Sequence, residues 1–261
     1  MNDDVTENII GYEVTTQNKK CCIEKIQKWL SEDSGTHYFV CANPHSIQVA
    51  QNDEKFKHAL MNADLITPDG VGVVMASKIL HGSLKERVTG SDIFWGLSEL
   101  LNRIQKGRYF FLGSTEMVLA RIIENMSKEF PGINVVGTYS PPFKSEFSDD
   151  DNNKMINTIN AANPDVLWVG MTAPKQEKWI YDNKDKLNVK FIGAIGAVFD
   201  FYAGTVERSH PVFQHMGLEW LPRLIKEPKR LWRRNFISNP VFMFRVLRQR
   251  WRASETKGKR Q

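Results

Sequence analysis

Residues 108–130 read RYFFLGSTEMVLARIIENMSKEF. An apolar run ends at Gly113, a Ser-Thr pair follows, and a helical pattern begins at once. The reading is a buried strand running into a helix, with Ser114 as the expected N-cap. A strand without polar alternation belongs in a sheet covered on both faces.

The same unit recurs on either side. Upstream, YFVCAN (38–43) reads as a strand and HSIQVAQNDEKFKHALMNA (45–63) as a helix. LIT (65–67) is a short strand before the helical GVGVVMASKIL (70–80). Downstream, NVVGTY (134–139) is a strand and 148–162 a helix. DVLWVGM (165–171) is a strand, PKQEKWIYDNKDKL (174–187) a helix with Pro174 first, and FIGAIG (191–196) a last strand. Apolar strands alternating with helices predict an α/β fold with a Rossmann-like, mostly parallel sheet, helices on both faces. Ligands of such sheets bind outside the carboxyl ends of the strands.

The chain has 261 residues, 41% of them apolar, enough for one large domain and an appendage. Three Cys, at 21, 22 and 41, without Cys-x-x-Cys spacing, suit a reducing compartment. No basic, apolar leader opens the sequence, and no run approaches the roughly 18–20 apolar residues of a membrane span. The expected location is cytoplasmic. From 218 to 261 there are 13 Lys+Arg against 3 Asp+Glu, a net +10, while the chain as a whole is +5. Residues 1–217 are therefore net −5. We expect two parts: a catalytic α/β body at 1–204 and a basic, aromatic appendage at 205–261 that seeks an anionic partner. After Asn239-Pro240 the appendage places Phe244, Leu247 and Trp251 on one helical stripe flanked by Arg, the composition of a helix lying in a membrane interface. A packing helix with a solvated basic face has the same pattern.

Several polar residues fall at strand ends. Asp69 stands in a Pro-Asp-Gly turn after LIT, either as turn chemistry or as a displayed base. Gly113-Ser114 is a plain cap or a phosphate cradle. Lys175, Gln176 and Glu177 open a helix, either solvated or meeting a nucleotide. Asp200 is the one charge in GAIGAVFDFYAG, where Gly196 and its neighbours admit a ligand close to the backbone. Arg87 is an anion clamp or a surface residue. Asp-x-Asp within SDDDNNK (148–154) reads as a solvated helix cap, no His-x-x-x-His occurs, and no metal site is expected. There is no Gly-x-Gly-x-x-Gly and no Walker loop, which counts against a dinucleotide enzyme.

Several blocks together resemble the WecG/TagA/CpsF family of bacterial glycosyltransferases. They are ADLITPDGVGVV, ERVTGSDIF, YFFLGSTEMV, GMTAPKQEKWI, GAVFDFYAGTVERSHP and GLEWLPRLIKEPKRLWRR, in the family's order between Tyr38 and Arg234. The resemblance implies an inverting, metal-independent transferase without a cofactor. It implies a UDP-sugar donor of N-acetylmannosamine type, or alternatively a glucosyl or uronic-acid donor for exopolysaccharide assembly. The acceptor is a polyprenyl-diphosphate-linked sugar at the cytoplasmic face of the membrane, in cell-surface polysaccharide synthesis. It implies Asp69 as the base, with Asn43, Arg87, Gln176 and Asp200 at the site and Arg223, Arg230 and Arg233 on the membrane-borne diphosphate. Where this chain has Cys41 the family often has Thr, implicated in catalysis there; Cys keeps only a weak hydrogen bond. Nucleic acid is not an expected partner, and a homo-oligomer is compatible with the sequence. The competing classes are a nucleotide-binding dehydrogenase and a non-catalytic adaptor that binds membrane or nucleic acid through the appendage.

Overall fold

A computed structural model of the chain describes residues 6–32, 35–206, 232 and 234–258. The centre is a six-stranded sheet in the order β4-β3-β8-β7-β5-β6. Its members are β3 (His37–Ala42), β4 (Leu65–Pro68), β5 (Arg108–Gly113), β6 (Asn134–Tyr139), β7 (Val166–Gly170) and β8 (Phe191–Ala194). Every pairing within it is parallel. The α/β, Rossmann-like expectation holds, and the strand ends agree with the apolar runs to within a residue or two. All carboxyl ends therefore lie along one edge.

Two apolar layers flank the sheet. One holds α1 (Lys19–Ser31), α5 (Gly90–Arg103), α6 (Glu116–Glu129) and the short α9 (Val198–Tyr202) around Phe94, Phe111, Trp168 and Phe199. The other holds α2 (Pro44–Ala50), α3 (Glu54–Met61), α4 (Val71–Ile79), α7 (Asp149–Ala162) and α8 (Lys175–Asn183) around Tyr38, Phe56, Phe110 and Trp179. A hairpin of β1 (Thr6–Ile9) and β2 (Tyr12–Thr15) buries Ile9, Tyr12 and Val14 in this second layer.

Three sequence expectations are corrected. The helix over 45–63 is two helices, because Asp53 caps α3 through Phe56 N–H at 3.0 Å and so starts a new helix. Thr115, not Ser114, caps α6, because Ser114 is left-handed at φ 57° and delays the start by one residue. Pro174 stands just before α8 as its N-cap, not inside it.

The helix α10 (Asn239–Gly258), entered by a π-helical turn at Arg234–Ser238, lies on α2 and α4. Phe242 and Val246 are fully buried in the second layer. Gln249 accepts from Ile10 N–H and donates to Asn8 O, both at 2.8 Å. The opposite side of α10 exposes Phe244, Leu247 and Trp251. Among the described residues no helix is long and apolar enough to cross a membrane.

Candidate active site

β3 and β4 pair in register with Cys41 opposite Thr67 and Ala42 opposite Pro68. The next residues, Asn43 and Asp69, thus stand side by side at two neighbouring strand ends. Asp69 N–H donates to Ala42 O at 2.8 Å, and Val88 N–H donates to Pro68 O at 2.9 Å. The second bond brings the loop carrying half-buried Arg87 back beside the Pro-Asp-Gly turn. Gly70 holds φ 113°, a conformation that L side chains rarely adopt, so the turn needs a residue without Cβ.

Asn43 caps α2: its Oδ1 accepts from Ser46 N–H at 3.0 Å, while Ser46 Oγ accepts from Asn43 N–H at 2.8 Å. Part of its polarity is thus committed to holding the strand end. Cys41 Sγ accepts from Thr67 Oγ at 3.7 Å. The backbone of Gly90, first residue of α5, also reaches this sulfur. Burial, then the charge of Asp69, push the thiol well above its ordinary range, so it stays protonated. Thr67 and the α5 N-terminus were not among the sequence candidates. The signal for the second was Thr89-Gly90-Ser91-Asp92, a Thr cap with an acid three residues on, and both bonds of that capping box are present.

Across the sheet, β8 and β7 contribute Gly196 and the segment 171–177. Gln176 Oε1 accepts from Met171 N–H at 3.3 Å, and Gln176 Nε2 donates to Glu177 Oε1 at 2.9 Å. Both residues are buried, although a polar first turn reads as solvated. Burial pushes the Glu177 carboxyl up to about 7, against the bonds from Gln176 and its own backbone. Gly196, at φ 50°, lies against the Gln176 amide; a Cβ there would sit 3.5 Å from its Oε1. Lys175 turns away from this pair. Its ammonium donates to Lys144 O and lies 3.7 Å from the Phe147 ring centre, and burial lowers its pKa.

β5 and β7 are neighbours whose onward connections run in opposite directions, to β6 on one side and β8 on the other. That divergence opens a crevice at their carboxyl ends. Gly113 and Gly170 face each other there, and a Cβ on Gly113 would fall 2.4 Å from Gly170 O. Ser114 follows, its carbonyl accepting from Ser140 Oγ at 2.8 Å. Asp200 is half-buried in α9, with its carbonyl accepting from Thr205 N–H at 3.0 Å. Arg223, Arg230 and Arg233 lie outside the described residues.

The 148–154 segment is a cap, as read: Ser148 accepts from Asp151 N–H, and Asp151 pairs with Lys144 at 2.7 Å. Among the described residues no three His, Cys, Asp or Glu side chains converge as a metal site would require.

The geometry is that of a polar strand-end edge without a Gly-rich dinucleotide loop, and comparison with known proteins agrees with it. A relative from Bacillus spizizenii is 34% identical over 220 residues, covering 84% of this chain and 82% of its own. One from Bacillus subtilis is 29% identical over 94% of this chain and 92% of its own. One from Staphylococcus aureus is 24% identical over 96% and 95%. Each is named an N-acetylglucosaminyldiphosphoundecaprenol N-acetyl-beta-D-mannosaminyltransferase. The model of the glycosyl transferase WecG/TagA/CpsF family matches residues 7–256, and the chain therefore belongs to that family of glycosyltransferases.

Proposed function

We propose that this transferase moves an N-acetylmannosamine-type sugar from a UDP-sugar to a polyprenyl-diphosphate-linked N-acetylglucosamine, with inversion and without a metal. The acceptor and the sugar follow the names of its relatives. The observation that carries the reading is the β3–β4 register, which puts a carboxylate, Asp69, beside Asn43 and Cys41.

Asp69 takes the proton of the acceptor hydroxyl as that oxygen attacks the anomeric carbon. The C–O bond to UDP breaks as the new bond forms on the opposite face, and UDP leaves as the anion. A single displacement inverts the centre and needs one base, not the pair of carboxylates of a retaining hydrolase. Cys41 lines the base as a neutral thiol. The leaving diphosphate requires donors, and the candidates are Arg87, the backbone at Gly113-Ser114 and the appendage residues Arg223, Arg230 and Arg233. Gln176, Glu177, Gly196 and Asp200 belong to the donor side of the cleft, with Lys175 at its rim.

The division into a body at 1–204 and an appendage at 205–261 is part of the proposal. So is peripheral attachment to the cytoplasmic face of the membrane. Supporting it are the net +10 of 218–261 and the exposed Phe244, Leu247 and Trp251 on a helix whose other face is packed.

The test is a panel of UDP-sugars offered with a polyprenyl-diphosphate-linked N-acetylglucosamine, read by product mass and, for the anomeric configuration, by the one-bond C1–H1 coupling of the added sugar. A single UDP-hexosamine giving one added residue in the β configuration is the expected result. Product in no combination, with a folded protein, sinks the assignment.

A further inference from the structure

A Gln carboxamide is nearly the same shape either way round, so its direction is fixed only by its partners. Gln176 has a donor at one end, Met171 N–H, and an acceptor at the other, Glu177 Oε1. Gln176 is 5% exposed and Glu177 4%. Glu177 is the one buried carboxyl residue among the described residues, and its Oε2 has no hydrogen-bond partner among them. Burying such a group is costly unless it is bonded. Besides its own backbone, Glu177 bonds the neighbouring amide, which also rests against Gly196. The charge of Glu177 reaches Cys41, so the pair sits within the strand-end cluster and not behind the fold.

We propose that Glu177 is a positioning residue. By accepting from Gln176 Nε2 it holds the Gln176 carboxamide carbonyl-first toward Met171, leaving one Nε2–H to donate to an oxygen of the sugar nucleotide. This rests on the transferase reading above and assigns the orienting role to Glu177, with Gln176 as the group that touches substrate.

The experiment compares Glu177→Met, Glu177→Gln, Gln176→Ala and the Glu177→Met/Gln176→Ala pair in the full chain. Two readouts are used: transfer kinetics, and the Gln176 side-chain NH2 resonances without substrate. Glu177→Met should lower kcat about 10- to 100-fold, with a smaller change in donor KM, because a misaimed donor is missed most in the transition state. Glu177→Gln, which keeps an acceptor oxygen, should recover turnover to within about fivefold of wild type. The pair should be no slower than Gln176→Ala alone, since Glu177 acts through that amide. The two NH2 protons should be split beyond the separation of a free primary amide in wild type and Glu177→Gln, and return to that ordinary separation in Glu177→Met. Losses that multiply in the pair, or Gln176 resonances indifferent to position 177, overturn the proposal. Should Glu177→Met fail to fold, the wild-type and Glu177→Gln spectra decide: an NH2 pair at the ordinary free-amide separation in wild type ends the idea. If wild type transfers nothing, the function assignment falls by itself and the spectra still judge the pairing.

Discussion

The backbone N–H of Asp69 donates to the carbonyl of Ala42 at 2.8 Å, one residue before Asn43. The bond ties the two strand ends together at the position where a carboxylate is displayed. It uses only the main chain of Asp69, so a substitution of the side chain retains it. Replacing that side chain should therefore test chemistry more than folding.

Asp69→Asn should cut turnover by about 10² to 10⁴-fold, the usual worth of a positioned base. UDP binding by calorimetry and the melting temperature should stay near wild type. A variant that turns over at the wild-type rate would reduce the Pro-Asp-Gly turn to architecture.

Glu177 makes a prediction about pH. Its carboxyl is raised from 4.5 to about 7 in the folded chain, so the folded state favours the protonated form. Its contribution is fully present below about 4.5 and is lost as pH rises to 7. The loss is about 3 kcal/mol by the linkage of 1.36 kcal/mol per pKa unit. Urea unfolding at pH 4.5, 6 and 7.5 should show this slope, and Glu177→Gln should flatten it. Parallel curves for the two proteins would contradict the raised value.

Chelation should leave transfer rates unchanged. Asp151 of the Asp-x-Asp pair is spent on the α7 cap, bonding Ser148 and Lys144, and Asp149 stands in the same first turn. Asp149→Ala/Asp151→Ala should lose some of α7's stability and keep its kcat. A rate that returns only with Mg²⁺ or Mn²⁺ after chelator treatment would overturn the metal-free mechanism.

The two faces of α10 should separate in experiment. Phe242→Ala removes a fully buried ring and should cost about 3–5 kcal/mol of stability. Trp251→Ala with Phe244→Ala touches exposed rings and should stay within about 0.5 kcal/mol of wild type. The same pair should weaken co-sedimentation with anionic vesicles, which should fall with added salt, each nearby Lys or Arg being worth about 1 kcal/mol. Vesicle binding untouched by the pair would place the membrane contact elsewhere.

The sheet was legible because its strands are mostly apolar runs that end at or within two residues of Gly113, Pro68, Asn43, Gly170 and Ala194. The site was legible as positions, since a parallel sheet sends all of those ends to one edge. What could not be read was depth. KQEK at 175–178 is uniformly polar, yet the helical turn buries Gln176 and Glu177 and leaves the two lysines half-buried at the rim. Gly113-Ser114 misled by one residue because two successive positive φ values extend the turn before α6. The hairpin, α1, α5 and α9 passed unassigned; the TGSD box announces α5, whereas the five residues of α9 are too few to show a period.

Gln249 bonds Asn8 and Ile10 with one side chain, so the first and last described elements of the chain are neighbours in space. Elements that meet in this way can be joined directly, with the chain reopened at an exposed turn. Joining the two ends by a flexible linker and reopening the chain at the exposed 104–106 turn would preserve each strand neighbour and the whole carboxyl-end edge. The order in which the elements are synthesised is then separable from the site that they build, and α10 would become an internal segment held at both ends.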